Sequence, residues 1–281
     1  MITAVISRKG GVGKTTTAVN LAAALAARGR KILLIDLDAQ ASASMSLGVA
    51  RGDLAPSTAD LLLAGMPARD AVRPTTVPGL DLITASVDLG NVDVELGVLR
   101  RREGRLKSCL APIADAYDVV LLDCPSSLSL VPVNALVAAD SYIVPAVPQF
   151  LAITGVKNLV AAAERLAWDA AHRIRLLGVL LTMVDYRTRA TRTNVDQLRA
   201  EYGNLVFAIE IRVNTRLAEA PACGQTIFQY DPSASGANAY RLLAEEFLIR
   251  QGAAGRQGAA CPETAQAAAP AQPAAAASRA D

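Results

Sequence analysis

Short aliphatic runs alternate along this chain with longer stretches in which alanine and leucine mix with charge. Ile2–Ile6 and Lys31–Ile35 read as strands buried on both faces, and Thr15–Arg28 between them has helical spacing with Gly29 as its stop. The alternation continues. Strands are predicted at Leu80–Thr84, Val119–Leu122, Ser141–Pro145 and Leu176–Met183. Helices are predicted over Leu96–Ala116 (strongly charged), Gly155–Ala171, Asn194–Tyr202 (polar) and Gly236–Arg250. Such β-α-β repetition implies an α/β, doubly wound, mostly parallel sheet with helices on both faces, and ligands at the carboxyl ends of its strands. Residues 1–250 form one domain on this reading. Residues 251–281, rich in Ala, Pro and Gln and broken by Pro262, Pro270 and Pro273, bury too little to offset their ordering entropy and are expected to be a disordered tail.

Composition narrows the class. The 281 residues are 52% hydrophobic and 4% aromatic, so the core is built from Leu, Val, Ile and Ala. A net charge of +2 leaves room for a basic patch but not for a chain basic all over. Cys109, Cys124, Cys223 and Cys261 form no C-x-x-C pair and His172 is the sole histidine, which argues against a zinc or iron–sulfur site and for a reducing cytoplasm. Met1 leads directly into the first strand, leaving no room for a signal peptide, and no apolar stretch is long enough to span a bilayer. Trp168 and His172 sit at helical spacing and read as packing residues.

The candidate chemistry begins at Lys9-Gly-Gly-Val-Gly-Lys-Thr-Thr16, set between a strand and a helix. In a phosphate-binding loop, backbone N–H groups wrap the phosphates, a lysine reaches the terminal ones, and a hydroxyl serves magnesium. Gly13, Lys14 and Thr15 complete that pattern, while Arg8 occupies the usual first glycine place and Gly10 and Gly11 supply the flexibility. Gly10, Gly11, Val12, Gly13, Lys14, Thr15 and Thr16 are therefore the expected ATP cradle, and Lys9 is an additional cation. Asp36 and Asp38 flank Leu37 at a strand end, so their side chains are expected on one side, near the phosphates.

With Asp36-Leu-Asp-Ala-Gln40, Asp118-Val-Val-Leu-Leu-Asp-Cys-Pro125, Arg216-Leu-Ala-Glu-Ala-Pro221 and Gln229-Tyr-Asp231 following the loop in order, residues 1 to 250 resemble the ParA/MinD-type ATPases with a deviant Walker A motif, closest to small ParA-type partition ATPases. The resemblance implies a homodimer sandwiching ATP and Mg2+, in which Lys9 reaches the partner's phosphates. It further implies that Asp38 orients the attacking water, that Asp36 and Asp123 support magnesium with Thr15, that Gln40 sits near a switch segment, and that Asn214 contacts adenine. This chain departs from the family pattern at Ala39 (usually proline), Ala41 (usually glycine), Ser126 (usually the second proline after the Asp123 motif), Arg212 (a proline) and Val213 (an arginine).

The resemblance also bears on partners. In DNA-partition members, arginines in the region of Arg187, Arg189 and Arg192, and near Arg212 and Arg216, form a sequence-independent DNA surface, which a dimer would double. The implied function is positioning of a chromosome, plasmid or large protein assembly on nucleoid DNA, with a ParB-like or other cargo adaptor stimulating weak ATP hydrolysis. Arg100-Arg-Arg-Glu-Gly-Arg105 reads as an exposed helix face where a regulatory partner could dock. Two alternatives share the fold. A MinD-type membrane ATPase needs a terminal amphipathic helix, and the stretch after Gly252 has no such face, so no membrane association is expected. A small-molecule ATP-dependent enzyme or cluster carrier is disfavoured by Lys9, by the Arg216 motif and by the absence of cluster cysteines.

Overall fold

The computed structural model describes residues 1–97, 102–127, 129–169 and 173–257. Among the described residues, eight strands form one sheet: β1 (Ile2–Val5), β2 (Ile32–Asp36), β3 (Arg73–Pro74), β4 (Leu80–Ile83), β5 (Val119–Asp123), β6 (Ser141–Ala146), β7 (Arg175–Val184) and β8 (Ile211–Arg212). Their order is β3-β4-β2-β5-β1-β6-β7-β8, parallel except for β3. The described helices are α1 (Lys14–Ala26), α2 (Ser42–Ser46), α3 (Ala68–Ala71), α4 (Val92–Glu95), α5 (Arg105–Leu110), α6 (Leu130–Ala138), α7 (Ala152–Asp169), α8 (Arg189–Tyr202), α9 (Thr215–Glu219), α10 (Ile227–Tyr230) and α11 (Ser235–Gln257).

Strand periodicity sorts the aliphatic residues between two cores. Leu33, Ile35, Val120 and Leu122 face the layer that contains α6 and α7, while Ile32, Leu34, Val119 and Leu121 face the layer that contains α1 and α11. The alanines of α1 suit it to this crowded place, because Ala18, Ala22 and Ala24 are fully buried there. Its end is as the sequence predicts: Gly29 takes φ 76°, and its N–H bonds the Ala26 carbonyl at 2.9 Å. β1 lies between β5 and β6, so its carboxyl end opens at the crevice where the winding reverses.

Several sequence expectations are corrected. The charged helix over 96–116 is not continuous among the described residues: α5 starts only after Gly104 and ends before Pro112, which cannot donate to a helix. Residues 98–101, and with them Arg100 and Arg101 of the basic run, lie outside the described residues, as do His172 and the Trp168 side chain, while Arg102 and Arg105 are half-buried rather than on an exposed face, donating to the Gly97 and Leu62 carbonyls. The polar helix begins at Arg189, five positions before Asn194, because Thr188 caps it by accepting the Thr191 N–H at 3.3 Å. α6, with Pro132 in its first turn where no N–H is needed, was not anticipated. The last helix runs past Arg250 to Gln257, so the segment expected to be disordered from 251 begins as helix. Gln251 explains part of this, since its amide donates to Thr3 Oγ1 and Ser141 Oγ at 3.1 and 3.2 Å. Arg250 adds more, stacking 4.1 Å from the Phe207 ring centroid and donating to the Leu177 and Val206 carbonyls. Residues 258–281 of the expected tail lie outside the described residues.

Candidate active site

The loop from β1 to α1 is shaped by two left-handed glycines, Gly11 at φ 69° and Gly13 at φ 80°. Gly13 precedes the first turn of α1, which has no side-chain cap, so its leading N–H groups face the loop unpaired by any side chain. A Cβ added at Gly11 would meet nothing within 4 Å, and one at Gly10 would meet only Ser126 Oγ at 3.8 Å. Val12 is buried beneath, its carbonyl accepting from Thr182 Oγ1 at 2.9 Å, which ties the loop to β7. The result is an open, donor-lined concavity with Lys14, Thr15 and Thr16 on its helical side.

Lys14 is 7% exposed and donates to Ser126 Oγ at 2.6 Å and to the Lys9 carbonyl at 3.4 Å. Burial lowers its pKa, opposed by the nearby carboxylates of Asp123 and Asp38. Asp36 and Asp123 are register partners on β2 and β5, and both are completely buried. Burial pushes Asp36 up to about 6 against the hydrogen bonds from Ser44. Burial, and then the charge of Asp36, hold Asp123 well above the usual carboxylate range, while Thr15 and Lys14 pull the other way.

Their hydrogen bonding separates the two. Asp36 Oδ2 accepts from Ser44 N and Ser44 Oγ at 2.8 and 2.7 Å, and Oδ1 accepts from Asp38 N at 3.1 Å. Asp36 thus ties α2 to the sheet, and both of its oxygens are engaged. Neither oxygen of Asp123 has a hydrogen-bond partner of normal geometry among the described residues. A buried carboxylate left bare beside a buried lysine and a threonine hydroxyl is the donor set that magnesium and phosphate would complete. ATP and Mg2+ therefore fit this site. β2 ends at Asp36, so Asp38 lies just past the strand, half-buried, its N–H donating to Asp36 Oδ1 and its Oδ1 accepting from the exposed Gln40 at 3.0 Å, near enough to Lys14 and Asp123 to act on both.

Lys9 occupies the opposite side of the loop. It is exposed and donates to Gln149 Oε1 beside Phe150 and Leu151, which are 88% and 69% exposed. Beyond the start of α1 lies a second concavity, a largely apolar cavity of about 290 Å³ lined by Gly13, Thr16, Thr182, Met183, Asn214 and Tyr240 among others. Asn214 caps α9, accepting from Leu217 N at 3.1 Å, and donates to Ser235 Oγ at 2.8 Å. Met183 holds φ 50°, unusual for a side chain of its size, at a register shift between β7 and β8. Nothing in the sequence marked Thr182 or Met183 as lining residues, because their place depends on which strand lies beside the loop.

All five predicted DNA arginines are exposed, but they are not equivalent. Arg212 stacks 5.5 Å from the centroid of the Tyr186 ring, and Arg192 donates to the Tyr186 carbonyl at 3.3 Å, so these two are brought together. Arg187 is paired with Asp185 at 2.6 Å, and Arg216 with Glu219 at 2.9 Å and Asp231 at 3.6 Å. Arg189, in the first turn of α8, has no ion-pair partner among the described residues.

Comparison with known proteins bears on this arrangement. A family model described as AAA domain matches residues 1–176. The chromosome-partitioning ATPase Soj of Thermus thermophilus is 44% identical over 247 residues, covering 88% of this chain and 95% of that protein. The chain belongs to the ParA/MinD-type family of partition ATPases. The chromosome partitioning protein ParA of Caulobacter vibrioides is 40% identical over 252 residues, covering 89% of this chain and 94% of that protein. Among solved structures, cobyrinic acid a,c-diamide synthase from Mycobacterium smegmatis, with bound ADP and magnesium, superposes with a TM-score of 0.77 at 33% identity over 91% of this chain and 96% of that one. This ParA-type chain has the P-loop NTPase fold, and its chemistry is ATP hydrolysis. No helix among its described residues is long and apolar enough to cross a membrane.

Proposed function

We propose that this partition ATPase forms an ATP-dependent homodimer in the cytoplasm, binds nucleoid DNA without sequence preference, and positions a cargo whose adaptor stimulates hydrolysis. The observation that carries the reading is the division of labour between two lysines of one loop. Lys14 is buried at the pocket and serves the chain's own phosphates, whereas Lys9 is exposed on the far side next to the apolar pair Phe150 and Leu151. A cation that its own pocket does not use, at the edge of an apolar patch, suits a second subunit's triphosphate.

Magnesium bound with ATP supplies charge neutralisation across the phosphates. Thr15 and Asp123 would hold it, with Asp36 contributing through its charge and its grip on α2. The N–H groups of residues 10 to 16 cradle the phosphates, Lys14 holds the terminal ones, and the apolar cavity beside Asn214 accommodates the base. Asp38, half-buried and beyond the strand end, is placed to accept a hydrogen bond from attacking water. Its replacement by alanine is expected to leave ATP bound and unhydrolysed.

That property makes the dimer testable. In the Asp38→Ala background, ATP is expected to double the molar mass measured by light scattering, and adding Lys9→Ala is expected to restore the monomer while ATP binding stays within about threefold. A dimer that persists in the double variant would overturn the sandwich. DNA binding has its own readout. The ATP-held dimer should bind random duplex and lose about 10³-fold in affinity between 50 and 200 mM salt if some six phosphates are contacted. Arg189→Glu, chosen because no carboxylate pairs with Arg189 among the described residues, should weaken binding and flatten the salt slope by about two units per dimer. An unchanged slope would remove α8 from the DNA surface.

A further inference from the structure

We infer that Ser126 is a phosphate-reading residue, whose hydroxyl accepts from Lys14 and donates to the terminal phosphate of ATP. The inference rests on the assignment of Lys14 to the phosphates. Ser126 follows β5 three residues after Asp123 and is half-buried at the rim of the loop. Its Oγ lies 2.6 Å from Lys14 Nζ, and it is the atom that a Cβ on Gly10 would meet first, at 3.8 Å. One side chain therefore touches the buried cation and borders the open floor of the cradle.

The chemistry of the two groups sets the roles. Lys14 carries three N–H donors and no acceptor, so in this pair the lysine donates and the serine oxygen accepts. That leaves the serine its own O–H, and among the described residues the hydroxyl makes no other hydrogen bond. The hydroxyl is polarised by an ammonium at short range, which strengthens it as a donor toward an anion. With donors committed to Ser126 Oγ and the Lys9 carbonyl, Lys14 has its remaining N–H for the same anion. The family pattern noted above has proline at this place, whose side chain offers neither donor nor acceptor, so the Lys14 contact comes with the departure from that pattern. ADP lacks the group that would receive the serine's hydrogen bond, and Ser126 thereby adds to discrimination between ATP and ADP.

Affinities of the full chain for ATP and ADP with Mg2+, measured by calorimetry for Ser126→Ala, Ser126→Thr and Lys14→Ala in the Asp38→Ala background, test this. Ser126→Ala is expected to weaken ATP by about tenfold and ADP by less than about twofold, with Ser126→Thr near the parent, since a charge-assisted hydrogen bond is lost and then restored. A melting curve for Ser126→Ala close to the parent's shows that the fold is intact, and Ser126→Thr keeps the comparison valid should the alanine variant melt early. Equal weakening of ATP and ADP, no change, or tighter ATP binding would overturn the inference. Lys14→Ala separates the two levels: loss of both nucleotides with Ser126→Ala unchanged sinks only the serine, while retention of both nucleotides sinks the site assignment itself.

Discussion

Lys14→Ala is expected to weaken ATP binding by about 10²–10³-fold and to abolish measurable hydrolysis. The size follows from what the ammonium does. It is 7% exposed, its few contacts are neutral oxygens at 2.6 and 3.4 Å, and the other donors around the cradle are neutral N–H and hydroxyl groups. Removing one partner of a desolvated, hydrogen-bonded charge pair costs about 3–5 kcal/mol, with each 1.4 kcal/mol a factor of ten. Titration of a fluorescent ATP analogue measures the loss directly. Binding within tenfold of the parent would mean that the triphosphate is held elsewhere, and the whole reading of residues 9–16 would fall with it.

The second large effect is a gain and a loss in one variant. Asp123→Asn should make the nucleotide-free protein more stable by about 2 kcal/mol while cutting magnesium-dependent hydrolysis by about 100-fold. Asp123 is completely buried, lacks a hydrogen-bond partner of normal geometry and faces Asp36 across the strand pair, so its charge is costly until nucleotide and metal arrive. The pH dependence has the same origin. Asp36 at about 6 and Asp123 well above the usual carboxylate range both hold protons more tightly when folded. Between pH 4 and 6 the folded state then binds more protons than the unfolded chain, so stability is greatest at the acid end of that window and falls as pH rises through it. Thermal melts should show a midpoint rise of several degrees for Asp123→Asn at pH 7.5 and a smaller one at pH 5. A destabilised variant would show that the carboxylate is a structural anchor, as Asp36 is.

Much of this was readable in one dimension. The strand runs, the alanine helix and its Gly29 stop follow from local periodicity and backbone preference, and they survive folding because each buried aliphatic run has only one environment that suits it. Reading failed where the deciding term was not local. The stretch 96–116 has helical composition but carries Gly97, Gly104 and Pro112, and the end of α11 depends on contacts that Gln251 and Arg250 make more than forty residues away, beside the local Arg250–Glu246 pair.

The site divides the same way. Lys9, Gly13, Lys14 and Thr15 lie on one contiguous loop whose geometry is written into its glycines, so the sequence alone was enough to name a nucleotide-binding loop and to set Lys9 apart from Lys14. Only the tertiary structure could decide between Asp36 and Asp123, which look interchangeable as strand-end aspartates. One accepts from Ser44 and becomes a tie, while the other, beside Thr15 and Lys14, has no hydrogen-bond partner of normal geometry among the described residues. It also brought Arg192 and Arg212 together on Tyr186, and set Ser126 against Lys14 from 112 positions away. The physical reason is common to all three. A backbone loop carries its shape in its own torsions, whereas the charge state and partners of a side chain depend on what packing across the sheet brings within hydrogen-bond reach.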